Sequence, residues 1–305
     1  MNNSNQEWRG RSRGGAFGYN FFIWLIKSFG ISAAYAFLTL VVLYFIPFSP
    51  SSTRSIWYYS RNILNQGILS SSFFVVRSYY RFGQVLIDKT AIGAGQKGKY
   101  NFQFDNFEEF LEILNSGKGA VIIGAHIGNW ESGAPFFDDY GKKINIVLYD
   151  AEYRKIKEIV KKNKESENYK LIPVNTGDIS HVIKIREALA NGEYVCFQGD
   201  RIISGKVADE KNVSREKVLV RNFMGREAIF PIGPFLLASR LNVPVVFHFA
   251  MREPGRRYRF YFYPADIAAD RKEGELLDIY IEKLESIVKM YPEQWFNYYK
   301  FWKDE

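Results

Sequence analysis

Three histidines occur in the 305 residues, and one of them, His126, stands in GAHIGNWESG five positions before an acid, Glu131. A histidine with a carboxylate partner is the base and the orienter of a nucleophilic triad. The imidazole takes a proton from a hydroxyl, while the carboxylate fixes its tautomer and stabilises the imidazolium that forms. No serine need accompany the pair if the hydroxyl belongs to a substrate. Such general-base help is worth about 10²–10⁴ in rate. The His-x4-Glu spacing alone is cheap, because 33 residues are acidic and His248 also has an acid, Glu253, five positions on.

Context separates the two histidines. His248 lies inside the apolar run VPVVFHFAM, and Glu253-Pro254-Gly255 reads as a turn between strands, which makes His248 structural. His126 instead ends the run AVIIGA, after which Gly128 and Asn129 turn the chain and Trp130 and Glu131 open a helix. On one continuous helix, side chains five apart diverge by ~140°, so the pair needs a strand end joined to a helix start. In open α/β sheets, strand carboxyl ends are also where ligands bind.

The flanking pattern supplies such a sheet. Apolar runs AVIIGA, INIVLY, YKLIPV, EYVCFQ, VPVVFHFA and RYRFYFYP alternate with helical patterns near 129–140, 151–165, 178–190 and 231–242, and a last helix falls near 273–290. This predicts an α/β fold with a mainly parallel central sheet flanked by helices. Two amphipathic helices are expected near 53–66 and 70–90, and in DNFEEFLEILNSGKG a capping box pairs Asn106 with Glu109. Cys196, the single cysteine, excludes a disulfide framework and reads as a small buried hydrophobe. GAGQKG lacks the strand and helix of a dinucleotide site, and SREK lies in a charged loop without companion motifs. No zinc spacing links the histidines, so neither metal nor cofactor is expected.

The net charge of +8 is uneven: residues 1–100 hold eleven Lys/Arg against Glu7 and Asp88, and the remainder is nearly neutral. The same third contains GISAAYAFLTLVVLYFIPF, residues 30–48, without a charge. As a helix it would be roughly 28 Å long, close to the ~30 Å hydrocarbon core. Basic charge beside an apolar helix suits anionic lipid, and no nucleic-acid motif competes. The expected organisation is a disordered basic tail (1–18), a membrane-anchor helix (19–50), a helical lead-in (51–100) and an α/β core (101–305). Basic residues flank the anchor on both sides, so charge bias leaves open whether it spans or lies partly embedded.

With these blocks in view the chain resembles the bacterial lipid A late acyltransferases, of the wider glycerolipid and lysophospholipid acyltransferase superfamily. GKGAVIIGAHIGNWE resembles their His-x4-acid block, and GEYVCFQGDR their strand ending in an acid-containing loop. VRNFMGREAIFPIGPFLLASRLNVPVV and YPEQWFNYYKFW resemble two later signatures. The resemblance implies an acyltransferase domain, with His126 activating an acceptor hydroxyl toward the thioester of an acyl carrier protein and Glu131 supporting it. It also implies that Asn129, Arg154, Asp200 and Arg201 bind the acceptor or order the site, a surface ion pair being the plain alternative for Arg201. Trp295 and Gln294 read as core. It further implies placement at the bacterial inner membrane, catalytic domain on the cytoplasmic face, with a lipid acceptor. The loop Gln198-Gly199-Asp200-Arg201 departs from the best-known members, which leaves a lysophospholipid or amino-acid lipid open as acceptor. A non-catalytic lipid-binding protein of the same fold is the alternative of another class.

Overall fold

The computed structural model describes residues 15–129, 140–149, 169–174, 179–202, 218–265, 272–303 and 305. Its sheet comprises β1 (Asn101–Asp105), β2 (Ala120–Gly124), β3 (Ile144–Tyr149), β4 (Tyr169–Val174), β5 (Tyr194–Gln198), β8 (Val245–Glu253) and β9 (Arg257–Ala265). The strand order is β1-β9-β8-β2-β5-β3-β4. Pairs β8–β2, β2–β5, β5–β3 and β3–β4 are parallel, whereas β9 runs back antiparallel to β8 and carries β1 with it. The mainly parallel sheet expected from the apolar runs is therefore present. A separate antiparallel hairpin joins β6 (Val218–Phe223) to β7 (Arg226–Pro231).

Strand β2 is buried along its whole length, as a central parallel strand covered on both faces must be. Val121, Ile122 and Ile123 are each 3% exposed or less, and burying such side chains stabilises by roughly 1.5–3 kcal/mol apiece. The final helix buries Leu276, Leu277, Tyr280, Ile281, Leu284, Ile287 and Val288. That three-and-four spacing is one helical stripe laid on the core. In chain order the helices are α1 (Gly15–Phe29), α2 (Ile31–Phe48), α3 (Pro50–Tyr58), α4 (Ile68–Ala91), α5 (Phe107–Asn115), α6 (Ser180–Ala190), α7 (Gly233–Leu241) and α8 (Glu273–Met290).

Local expectations needed correction at four places. The stretch expected to be one anchor helix is two helices, because Gly30 adopts φ 85° between α1 and α2, and the first begins at Gly15, inside the expected tail. The helix expected over 53–66 ends at Tyr58 and continues only as a five-residue π turn, Tyr59–Ile63. Asn106 does stand at the head of α5, but with φ 55° it makes no side-chain cap, since capping needs extended backbone there. Strand β1 and the β6–β7 hairpin were not expected, both being polar enough to read as loop. The helices expected at 129–140 and 151–165 lie almost wholly outside the described residues.

Candidate active site

Parallel neighbours β2 and β5 end level with each other, Gly124 opposite Gln198. The pairing continues one residue further, where the Gly199 amide donates to the Gly124 carbonyl at 2.9 Å. Two residues past each strand therefore stand side by side, and these are His126 and Asp200. His126 Nδ1 lies 2.8 Å from Asp200 Oδ1, and the His126 backbone amide donates to Asp200 Oδ2 at 2.9 Å. Asn297 Nδ2 donates to the same Oδ2 at 3.0 Å.

Asp200 is wholly buried, which by itself pushes its carboxyl pKa up. The His126 ring and amide and the Arg201 guanidinium outweigh that burial and hold it below the ordinary carboxylate range. An ionised carboxylate only accepts hydrogen bonds, so Nδ1 of His126 must carry the proton facing it. The lone pair is then on Nε2. The His126 side chain keeps 21% of its surface exposed, whereas that of Asp200 keeps none.

Glycines make this approach possible. A Cβ on Gly199 would stand 2.8 Å from Ile123 Cγ2 and 3.0 Å from Tyr280 Cζ. Gly128 is the stricter case: its φ is +58° and a Cβ would meet the Ala250 carbonyl oxygen at 2.1 Å. The turn after His126 is thus pressed against β8, and the Asn129 amide donates to that same Ala250 carbonyl at 2.7 Å.

A segment from the far end of the chain closes over the pair. The Gly128 amide donates to the Gln294 carbonyl, and the Phe296 amide donates to the His126 carbonyl, each at 3.0 Å. Arg201 Nε donates to Asn297 Oδ1 and an Nη of Arg201 to the Phe296 carbonyl, again at 3.0 Å, with the guanidinium 5.5 Å from the Tyr299 ring centre. Among the described residues, Arg201 staples residues 296–299 to the loop that carries Asp200. Trp295 and Gln294 are core, as expected, at 2% and 4% exposure.

Asn129 faces a second polar cluster. Its Nδ2 donates to the Tyr258 hydroxyl at 3.3 Å, and Tyr258 in turn donates to Asp88 Oδ2 at 2.6 Å. Asp88 also accepts from Arg252 Nε at 2.8 Å, from the Tyr100 hydroxyl at 2.9 Å and from the Tyr35 hydroxyl of α2. Gln294 completes the fit, accepting from the Arg252 amide at 2.9 Å and donating to its carbonyl at 2.7 Å.

The structure thus brings together His126, Asp200 and Arg201, and sets the buried Asn129 to one side. Glu131 and Arg154 lie outside the described residues. His248 is buried on β8, its ring stacked with Phe260 and Phe262 and its Nδ1 3.2 Å from the Tyr261 carbonyl; desolvation pulls its pKa down to about 4. The Cys196 thiol on β5 is pushed up to about 12 by desolvation, which removes it as a nucleophile near neutrality. Sequence reasoning missed Asn297 and the partnership of Asp200 with His126. The available signal was positional, since both GAH and QGD stand just past apolar strands.

Known proteins carry the same stretches. The chain is similar to a phosphatidylinositol mannoside acyltransferase of Mycolicibacterium smegmatis, 24% identical over 165 residues that make up 53% of this chain and 49% of that protein. It therefore spans about half the length of the curated relative it matches. The family model described as bacterial lipid A biosynthesis acyltransferase matches residues 72–304. That range opens inside α4 and takes in both strand ends, the glycine turn and the closing segment. From the helix bearing Asp88 to the residues that clamp His126, the chain belongs to the bacterial lipid A biosynthesis acyltransferase family.

Proposed function

We propose that this protein is a membrane-bound O-acyltransferase that moves a fatty acyl chain from the thioester of an acyl carrier protein to a hydroxyl of a lipid A precursor. The observation that carries the reading is the 2.8 Å contact between His126 Nδ1 and the buried Asp200 carboxylate at the mouth of the sheet. His126 Nε2 takes the proton of the acceptor hydroxyl as its oxygen attacks the thioester carbonyl. The carbon–sulfur bond then breaks, and the thiolate leaves with the proton from His126. Each turnover ends with an ester, a free carrier thiol and the base restored.

Asp200 stabilises the imidazolium during that cycle, the supporting role that strand-end context and the resemblance suggested for Glu131. Arg201 and Asn129 act as positioning residues: the first holds the closing segment, the second ties the glycine turn to the buried cluster. Glu131 and Arg154 remain proposed contributors on the resemblance. A carrier-bound donor is cytosolic, so the catalytic domain works at the cytoplasmic face of the inner membrane. The mannoside-acylating relative supports a second acceptor within the same chemistry, a sugar hydroxyl of a phosphoinositide glycolipid.

The test is mass spectrometry of lipids from a strain lacking the protein, paired with turnover of acyl carrier protein thioester by the purified enzyme in detergent. Lipid A short of one acyl chain, restored by wild type and not by Asp200→Asn, supports the reading. Unchanged lipid A with a deficit in another glycolipid moves the acceptor while keeping the reaction. Intact lipids of every class and no turnover with any thioester overturn it.

A further inference from the structure

Helix α2 is apolar and long enough to cross a bilayer, yet it is built into the catalytic domain along its side. Near its start, the Tyr35 hydroxyl is bound to the buried Asp88 and accepts from Arg252 at 3.1 Å, while the Tyr80 hydroxyl donates to the Tyr35 carbonyl at 3.3 Å. In its middle, Leu38 rests where a Cβ on Gly83 would stand, 2.3 Å from Cδ1. Near its end, Thr53 Oγ1 donates to the Ile46 carbonyl at 3.0 Å and pairs with the Tyr79 hydroxyl at 3.1 Å. Contacts of residues 35 and 38, and of residue 46 through Thr53, thus fall on α4 between residues 79 and 88.

That stretch of α4 is polar freight. Arg81 meets Glu293 at 3.5 Å, Arg77 meets the same carboxylate at 2.5 Å one turn earlier, and Asp88 pairs with Arg252. A transverse α2 would carry these charges to the depth of the hydrocarbon, where ionised side chains are strongly disfavoured. Meanwhile the face of α2 turned away from the domain is bare and greasy: Phe37, Leu40, Leu43, Tyr44 and Phe48 are all exposed. Phe21 of α1 extends it, 5.0 Å from Phe37.

We infer that the α1–α2 hairpin lies flat in one leaflet of an anionic bilayer, its bare face in the acyl region, and does not cross. Charge agrees with this. Exposed Lys27 precedes the start of α2 and exposed Arg54 follows its end. On a spanning helix these cations would sit on opposite sides of the membrane; on a lying helix both reach the same layer of headgroups. The inference rests on the proposed function for the presence of a bilayer and for the cytoplasmic face.

The experiment uses the full chain with Cys196→Ala, adding single cysteines by Ser4→Cys before the hairpin and by Glu187→Cys on exposed α6. A membrane-impermeant maleimide is applied to intact spheroplasts and to inverted vesicles. Both positions should react from the same, cytoplasmic side. A spin label at Leu40→Cys, in vesicles of phosphatidylethanolamine and phosphatidylglycerol, should report a depth near the upper acyl carbons. Labelling of the two cysteines from opposite sides, or a mid-bilayer depth at residue 40, overturns the inference. Neither readout requires turnover, so an inactive enzyme with both cysteines on one side fails the proposed reaction and leaves this topology standing.

Discussion

Asp200 and Asp88 are both fully buried carboxylates, each facing a side-chain nitrogen at 2.8 Å, yet they are put to different uses. Around Asp88 the partners are buried, Tyr35 alone only partly: a guanidinium and three tyrosine hydroxyls converge on its two oxygens. Around Asp200 the partners include a histidine whose side chain is partly exposed. Saturating a buried charge makes a rivet between distant elements. A partner with one nitrogen that makes no bond among the described residues is instead placed as a reagent. The difference lies in what stands on the other side of the partner, and not in the carboxylate or its burial.

Three measurements break or sharpen that contrast. His126→Ala should lower acyl transfer by about 10²–10⁴ and cost only part of the stability lost on stranding a buried charge, since the His126 amide and Asn297 still bond the Asp200 carboxylate. A matching collapse of stability would erase the distinction. Arg252→Met should do the reverse, destabilising by about 3–5 kcal/mol because it strands the buried Asp88 charge. If this variant unfolds at the wild-type midpoint, the cluster is no rivet.

The smallest effect belongs to His248, a histidine with neither role. Unfolded, it titrates near 6.5; folded, near 4. The unfolded chain therefore holds more protons between those values, and stability falls as pH drops through that window, by about 3 kcal/mol in all. The contribution of Asp200 goes the same way but lower, being lost as pH falls through its depressed folded value. His248→Phe keeps the ring stack and should flatten the loss between pH 6.5 and 4.5. An acid limb unchanged by the substitution would remove desolvation of this ring as its cause.

The two networks were unequally legible. His126 could be singled out because it ends an apolar run at a glycine turn, and the runs that became β2, β3, β4, β5, β8 and β9 are apolar enough to be read directly. Strand β1 reads Asn-Phe-Gln-Phe-Asp, and at the sheet edge its half-polar face suffices, so no run of apolar residues announces it. The Asp200 contact depended on strand order. Residues 74 apart meet only because β5 pairs with β2, and no local property of either strand specifies its neighbour. Asp88 was harder still, since its arginine lies 164 residues away. It was legible only as an acid in a basic third of the chain.

The closing segment has a consequence for how the protein is born. His126 and Asp200 leave the ribosome long before Gln294, Phe296 and Asn297, which supply the bonds to the histidine turn and to the aspartate. A nascent chain stalled after α8 owns the base and its carboxylate but lacks the residues that hold them in place. Translation must therefore pass residue 297 before the last of these closing bonds can form.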